Sequence, residues 1–277
     1  MPDFSIVTIV KGRMKQLNNL LISVRASTVL PFDVQIVFME PQDDWVAPEG
    51  LNVHIQILEN GVGLPLAAGR NLGFYAAKTQ NIIFIDVDCI ISPSLFENML
   101  KVLEAKRIIS AYPLYLPIVP DSGNYEEIKH LAVPHPSREN IPALQPTDHL
   151  QFWSLIFAIQ KQGFKSIGGF DDTFKGYGAE DTDFAMKFHQ AGAKLIFVRD
   201  YVLHQYHDKY DPPLNHFDSI IENARRYRLK WNALPMLRWL KGFEKMDLIQ
   251  IDPAGVITIL KQPTQIQIEN CLSSEPY

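Results

Sequence analysis

The sequence has little cysteine, no block of one charge and no long apolar run. Each shortage excludes a class of protein. Only Cys89 and Cys271 occur, far apart, and no CxxC pair exists. A disulfide framework is therefore not expected, and a reducing compartment is. No run approaches the roughly 18 apolar residues of a membrane span. "MPDFSIVTIV" lacks a basic stretch ahead of a long apolar core, so no signal peptide is expected. The expected location is the cytoplasm, soluble or peripheral to the inner face of the membrane. The formal net charge is -5, with acids and bases mixed along the chain. No basic block offers itself to nucleic acid, and no acidic tail suggests a disordered arm. Neither a P-loop nor a GxGxxG dinucleotide fingerprint is present.

What remains is an ordinary globular balance: 277 residues, 47% hydrophobic and 21% charged. Such a chain is long enough to bury a sizeable core in one large α/β domain, alone or with a small appendage. "FSIVTIV" (4–10) reads as a buried strand, and Leu17, Leu20, Leu21 and Val24 follow at helical spacing. "DVQIVFME" (33–40), "LNVHIQIL" (51–58) and "NIIFIDVD" (81–88) read as further strands. "LAAGRNLGFYAAKT" (66–79) reads as a helix with glycines on its inner face, and "PSLFENMLKVLEAK" (93–106) as a helix with proline in its first turn. This alternation predicts a mostly parallel sheet with helices on both faces.

Residues 113–149 are rich in proline and poor in periodic apolar positions, and read as a loop insertion over the site. Beyond them, 151–170 reads as strand, short helix and turn. "TDFAMKFHQAGA" reads as a helix stopped at Gly192, and 194–207 as a strand with a polar end. Residues 216–245 read as helical, and "DPAG" marks a hairpin turn in the tail 246–277. The expected division is a catalytic domain over 1–215 and a helical and hairpin extension over 216–277. Within the latter, 235–245 set Leu237, Trp239, Leu240 and Phe243 beside Arg238, Lys241 and Lys245. That pattern fits a membrane-surface contact or, as the favoured reading, a core-packing helix.

Four stretches carry candidate chemistry. Asp86 and Asp88 of "IDVD" point to one side of an extended chain at the end of an apolar strand. Open α/β sheets bind ligands there, and paired carboxylates suit a hard divalent cation. His204 and His207 of "HQYHD" follow another strand end. They are not the HExxH of a zinc protease, and with a carboxylate they would favour Mn2+ over Mg2+. "GYGAED" places Tyr177 between glycines and Glu180 and Asp181 at a helix start, where the helix dipole favours ionised carboxylates. The dipole alone accounts for Asp183; an ionised Asp181 is able to accept a proton, and an aromatic ring is able to stack on a sugar face. Lys11, Arg13 and Arg70 are suited to phosphate.

Taken in this order, the features resemble the metal-dependent glycosyltransferases of the GT-A fold, over roughly residues 4–210. "SIVTIVKGR", "GRNLG" and "DVD" are similar to glycosyltransferase family 2. "IGGFDDTFKGYGAEDTDF" with the downstream "HQYH" resembles the C-terminal segment of the β-1,4-galactosyltransferases and the related N-acetylgalactosaminyltransferases. The resemblance implies a metal held by Asp88, His207 and His204, with Mn2+ expected and Mg2+ as the alternative. It implies that Asp86 contacts the ribose or sugar of the donor, that Asp181 is the catalytic base and that Glu180 holds an acceptor hydroxyl. Lys11, Arg13, Arg70 and Asn71 would line the nucleotide-diphosphate site. Tyr177 stands where that family commonly has tryptophan, as an aromatic platform. Glu40 stands where family 2 usually has an aspartate that contacts uracil, and "VKGR" lacks the usual pattern after the first strand.

The implied activity is inverting transfer of a hexose or N-acetylhexosamine from a nucleotide sugar, expected to be UDP-linked. The implied acceptor is a glycan or lipid-linked hydroxyl. Two rivals are a non-catalytic protein that binds glycans or nucleotide sugars, and a sugar-phosphate nucleotidyltransferase. The latter would want a glycine-rich loop after the first strand, where "IVKGRMK" has one glycine.

Overall fold

The computed structural model describes residues 2–42, 45–58, 63–273 and 275–276. The first half comprises β1 (Phe4–Val10), α1 (Met14–Arg25), β2 (Asp33–Phe38), β3 (Val53–Ile57), α2 (Leu66–Ala76), β4 (Asn81–Ile85), β5 (Cys89–Ile91), α3 (Leu95–Val102) and β6 (Arg107–Tyr115). Then come α4 (Tyr125–Ile128), β7 (Val133–Pro134), β8 (Pro146–Thr147), β9 (Ile156–Gln160), α5 (Lys161–Ile167), α6 (Glu180–Gln190) and β10 (Lys194–His204). The chain closes with α7 (Phe217–Trp231), α8 (Leu237–Lys245), β11 (Ile249–Ile251), β12 (Ile257–Ile259) and α9 (Gln265–Asn270).

The main sheet runs β3-β2-β1-β4-β9-β6-β10-β5. Strands β1 to β4 are parallel, β6 and β10 share their direction, and β9 and β5 run against it. The expected α/β class with a mostly parallel sheet is the one found. Strand β1 is buried along its whole length because both sheet faces are covered. Its Phe4, Ile6 and Val10 join α1 and α3 on one face, while Val7 and Ile9 join α2, α5 and α6 on the other. The inward glycines of α2 have a steric reason: a Cβ on Gly73 would sit 2.3 Å from Val7 Cγ1. The helix lies on the sheet at a distance that only glycine permits.

Several boundaries differ from the expectation. The helix placed over 93–106 ends at Val102. The insertion expected from Pro113 begins after Tyr115, because β6 continues that far beside β10. It also carries two short strands, β7 on β6 and β8 on β10. The helical stretch 216–245 is two helices, with Asn232 and Met236 in left-handed conformations between them. The "DPAG" hairpin forms, with β11 paired to β12.

The extension has a third apolar cluster, in which Leu240 and Phe243 are fully buried with Phe217, Ile220 and Leu248. The apolar side of α8 therefore faces protein, and of its large apolar residues Leu237 is the exposed one. Among the described residues no helix is long and apolar enough to cross a membrane.

Candidate active site

Strand β4 ends at Ile85, and its continuation turns back at once. Asp86 N–H donates to Leu155 O, and Cys89 N–H donates to Asp86 O, so residues 86–89 form a tight turn. Its last residue, Cys89, begins β5, which pairs antiparallel with the end of β10, Cys89 opposite His204. Gln205 N–H donates to Asp88 O at 2.7 Å, closing the ladder. This register brings the acidic turn onto "HQYH". Buried Asp200 strengthens it by accepting from Ser92 Oγ, Ser94 Oγ and Asn98 Nδ2 at the β5–α3 junction.

Asp88, His204 and His207 each present a ligand atom, and the three atoms lie within 4.8 Å of one another. Asp88 is 1% exposed and its Oδ1 has no hydrogen-bond partner, nor does Nδ1 of buried His204. His207 holds Nδ1 against Asp208 O at 2.9 Å, which leaves Nε2 facing Asp88 Oδ2 at 3.9 Å. Burial, with Arg13 nearby, lowers the His207 pKa to about 4, and burial with His207 nearby lowers that of His204 well below the ordinary value. Both imidazoles are neutral at pH 7, as metal ligands must be. Orphaned buried ligand atoms and a carboxylate with two imidazoles fit a divalent transition ion such as Mn2+. Arg13 Nη1 donates to Asp88 Oδ2 and supplies positive charge to the set.

The second half of the site is the turn into α6. Gly176 and Gly178 have positive φ, and so does Ala179 ahead of the helix. The turn also lies tight on the extension: a Cβ on Gly176 would sit 2.6 Å from Ser219 Cβ, and one on Gly178 2.6 Å from Met236 Sδ. Asn223 of α7 donates through Nδ2 to the carbonyls of Lys175 at 2.8 Å and Gly178 at 2.9 Å. Asp183, fully buried, accepts from Trp231 Nε1 at 2.8 Å and pairs with Lys230 Nζ at 2.7 Å. The extension thus clamps the acidic turn from behind. Asn223→Ala leaves these carbonyls unpaired and should destabilise the protein by about 1–3 kcal/mol. Activity should fall with it; a thermal melt and turnover on one sample check this.

On the cleft side, Glu180 pairs with Arg70 at 3.0 Å, both nearly inaccessible, and keeps Oε2 without a partner. Arg70 lies over the rings of Phe84 and Phe170, 5.2 Å from each centroid. Truncating either member of such a buried pair typically costs about 3–5 kcal/mol. Asp181 accepts from Thr182 N–H at 2.7 Å. Desolvation and the neighbouring Glu180 carboxylate push its pKa up to about 6, against the pull of Arg70 and the Thr182 hydrogen bonds. Asp86 is also raised, by desolvation, with Arg70 and Arg13 opposing. The two acids therefore share Arg70.

The other expected residues fall into different situations. Lys11 Nζ donates to Gly63 O at 2.6 Å, and the Glu40 carboxylate faces Gly12 of the "KGR" turn. Asn71, expected beside the diphosphate, has both ends of its amide on the Phe170 backbone, at 2.8 and 2.9 Å. It fastens α2 to the approach of the acidic turn. Tyr177, expected as a platform, already stacks on His216 at 4.6 Å, with Trp239 5.7 Å away and also near parallel. A cavity of about 380 Å3 lined by Leu214, His216, Ser219 and Gln262 lies in the extension. None of its lining residues belongs to the Asp88–His204–His207 group or to the Glu180–Asp181 turn.

Sequence reasoning missed Asn19 and Gln205, both buried. Asn19 Nδ2 donates to Gln205 Oε1 at 2.9 Å, and Gln205 Nε2 donates to Gln16 O at 3.1 Å. This clasp holds the turn between the two histidines on α1. The only sequence signal for it was the polar pair lying inside an otherwise apolar helix face and strand end.

The fold is that of the GT-A glycosyltransferases. GalNAc-T7 crystallised with UDP, GalNAc and Mn2+ superposes with a TM-score of 0.60 at 16% identity, covering 75% of this chain and 44% of that one. The mannosyltransferase PcManGT from Pyrobaculum calidifontis, in complex with GDP-Man and Mn2+, superposes with a TM-score of 0.55 at 12% identity, covering 85% and 68%. Residues 50–223 match the family model described as glycosyltransferase like family 2, and the chain belongs to that family. A curated relative, pre-mycofactocin glycosyltransferase of Mycobacterium tuberculosis, is 26% identical over 202 residues, 70% of this chain. The chain spans 41% of that relative's length.

Proposed function

We propose that the protein is an inverting, metal-dependent glycosyltransferase that moves a hexose or N-acetylhexosamine from a UDP-sugar to a glycan or lipid-linked hydroxyl. The observation that carries this reading is the convergence of Asp88, His204 and His207 within 4.8 Å, with Asp88 Oδ1 and His204 Nδ1 unpartnered. A site with a carboxylate and two neutral imidazoles for a cation is what a diphosphate leaving group needs. The solved neighbours with UDP or GDP-Man and Mn2+ support the choice of donor class and metal. The "GYGAED" turn extends the reading to the galactosyltransferase-like acid–base segment.

Asp88, His204 and His207 would hold the metal, which as a Lewis acid would offset the charge of the departing diphosphate. Asp181 takes the proton of the acceptor hydroxyl as that oxygen bonds to the anomeric carbon. The bond from that carbon to the diphosphate oxygen breaks on the opposite face, which inverts the centre. Glu180 Oε2 accepts from an acceptor hydroxyl, and Arg70 holds Glu180 in place. A screen of UDP-, GDP- and dTDP-sugars with Mn2+ tests the reading. Metal-dependent release of UDP from a UDP-sugar is expected, and nucleotide release that ignores both Mn2+ and chelator would refute it.

The pH profile follows from Asp181. Its carboxyl lies within electrostatic reach of Glu180 on its own helix, Arg70 of α2, Arg138 of the insertion, and the phenols of Tyr177 and Tyr227. The base works ionised, and its pKa is raised to about 6. kcat/KM should therefore rise about tenfold per pH unit below 6 and level above it. A flat profile from pH 4.5 to 7.5 would remove Asp181 from the role.

A further inference from the structure

The insertion after β6 carries a buried cation that the proposed reaction does not use. Arg138 is 4% exposed and sits at the end of a short turn begun by His135. One edge of its guanidinium is engaged: Nη1 donates to Gln151 O at 2.5 Å and to Gln151 Oε1 at 3.2 Å. Nε is buried without a partner, and among the described residues no carboxylate reaches ion-pair distance. The plane rests on Trp153, 3.2 Å from the guanidinium carbon to the ring centroid.

A run of rings connects it to the candidate metal ligands. His204 of the metal set lies 5.0 Å from Tyr115, Tyr115 lies 5.7 Å from His135, and His135 meets Trp153 edge-on at 5.2 Å. Arg138 lies at the far end of this run from His204, and the Asp181 carboxylate is within its electrostatic reach. A buried, unpaired charge is costly, and a guanidinium edge with two donors matches an oxyanion.

We infer that Arg138, seated on Trp153, is the recognition site for an oxyanion, a carboxylate or phosphate, carried by the acceptor next to the hydroxyl that Asp181 deprotonates. This rests on the proposed glycosyl transfer and specifies its acceptor as anionic. The oxyanion supplies the acceptor that Arg138 Nε lacks.

Calorimetric titration of the protein loaded with UDP and Mn2+ tests it, with glucose, glucuronate, glucose 6-phosphate and inorganic phosphate as probes. At least one oxyanion should bind about 10–100-fold more tightly than glucose, and the preferred one separates a carboxylate from a phosphate acceptor. Arg138→Met should remove that preference. Arg138→Lys, which keeps the charge and loses the fork, should retain a minor part of it, with melting curves confirming that both variants are folded. Equal binding of glucose and all oxyanions by the parent protein would overturn the inference, as would a preference that survives in Arg138→Met. A loss of UDP affinity equal to the loss of oxyanion affinity would also overturn it, by assigning Arg138 to the donor. The reading of the protein as a metal-dependent transferase fails separately, if UDP binding by the parent protein does not respond to Mn2+.

Discussion

Asp181→Asn should lower kcat by about 10²–10⁴-fold, the usual worth of a general base, while UDP binding with Mn2+ stays close to that of the parent. The substitution keeps the shape of the side chain and its contact with Thr182 and removes the proton acceptor. The same variant should be more stable than the parent at neutral pH. In an unfolded chain an aspartate ionises near 3.9, whereas the Asp181 pKa is raised to about 6 by desolvation and Glu180. Between those values the folded state binds the extra proton, so stability falls as pH rises through the window and stays lower above it. Asparagine carries no such penalty. Its melting temperature should exceed the parent's at pH 8, and the difference should vanish below about pH 4. A variant that loses turnover and also melts lower at pH 8 would mean that Asp181 holds structure rather than a proton.

Asp88→Ala should abolish measurable Mn2+ binding and reduce turnover by about 10³-fold, since charge stabilisation by a bound ion is worth several kcal/mol of barrier. It removes the carboxylate that His207 Nε2 faces and that Arg13 contacts. Calorimetry with Mn2+ alone reads the binding loss without reference to turnover. Retained Mn2+ affinity in this variant, with loss in His204→Ala, would shift the centre away from the acidic turn. Equal loss in Asp88→Ala and His207→Ala would place both on one ion.

Much of the fold was legible because its elements are long and locally consistent. Period-two and period-3.6 patterns marked the first strands and helices, and "DPAG" marked the hairpin. The shorter elements were not legible. Strand β5 is three residues, below the length at which periodicity carries a signal, and its existence depends on β10 offering an edge. The direction of β9 was equally hidden, because a buried strand shows the same apolar run whether its neighbours run with it or against it.

The site divides in the same way. Each acidic or histidine stretch announced candidate chemistry through residue type and its place at an element's end. What each of these side chains packs against was not legible. Asn71 and Tyr177 look equally free in the sequence, yet the backbone of Phe170 occupies one and His216 stacks on the other. Arg138 lies in a stretch without periodicity, and nothing local shows that it is buried on Trp153.

The sequence by itself determined the α/β class, the strands β1 to β4, β9 and β10, and the three segments that carry acids and histidines, because those depend on residue type and short-range spacing; β6, in the middle of the sheet, was not read from it. Only the tertiary structure decided that the segments meet. Asp88 and His207 are brought together by the β5–β10 register, and the acidic turn before α6 is held by Asn223 of the extension. Such contacts join residues far apart in the chain, where the closing entropy is met by packing that no local pattern records.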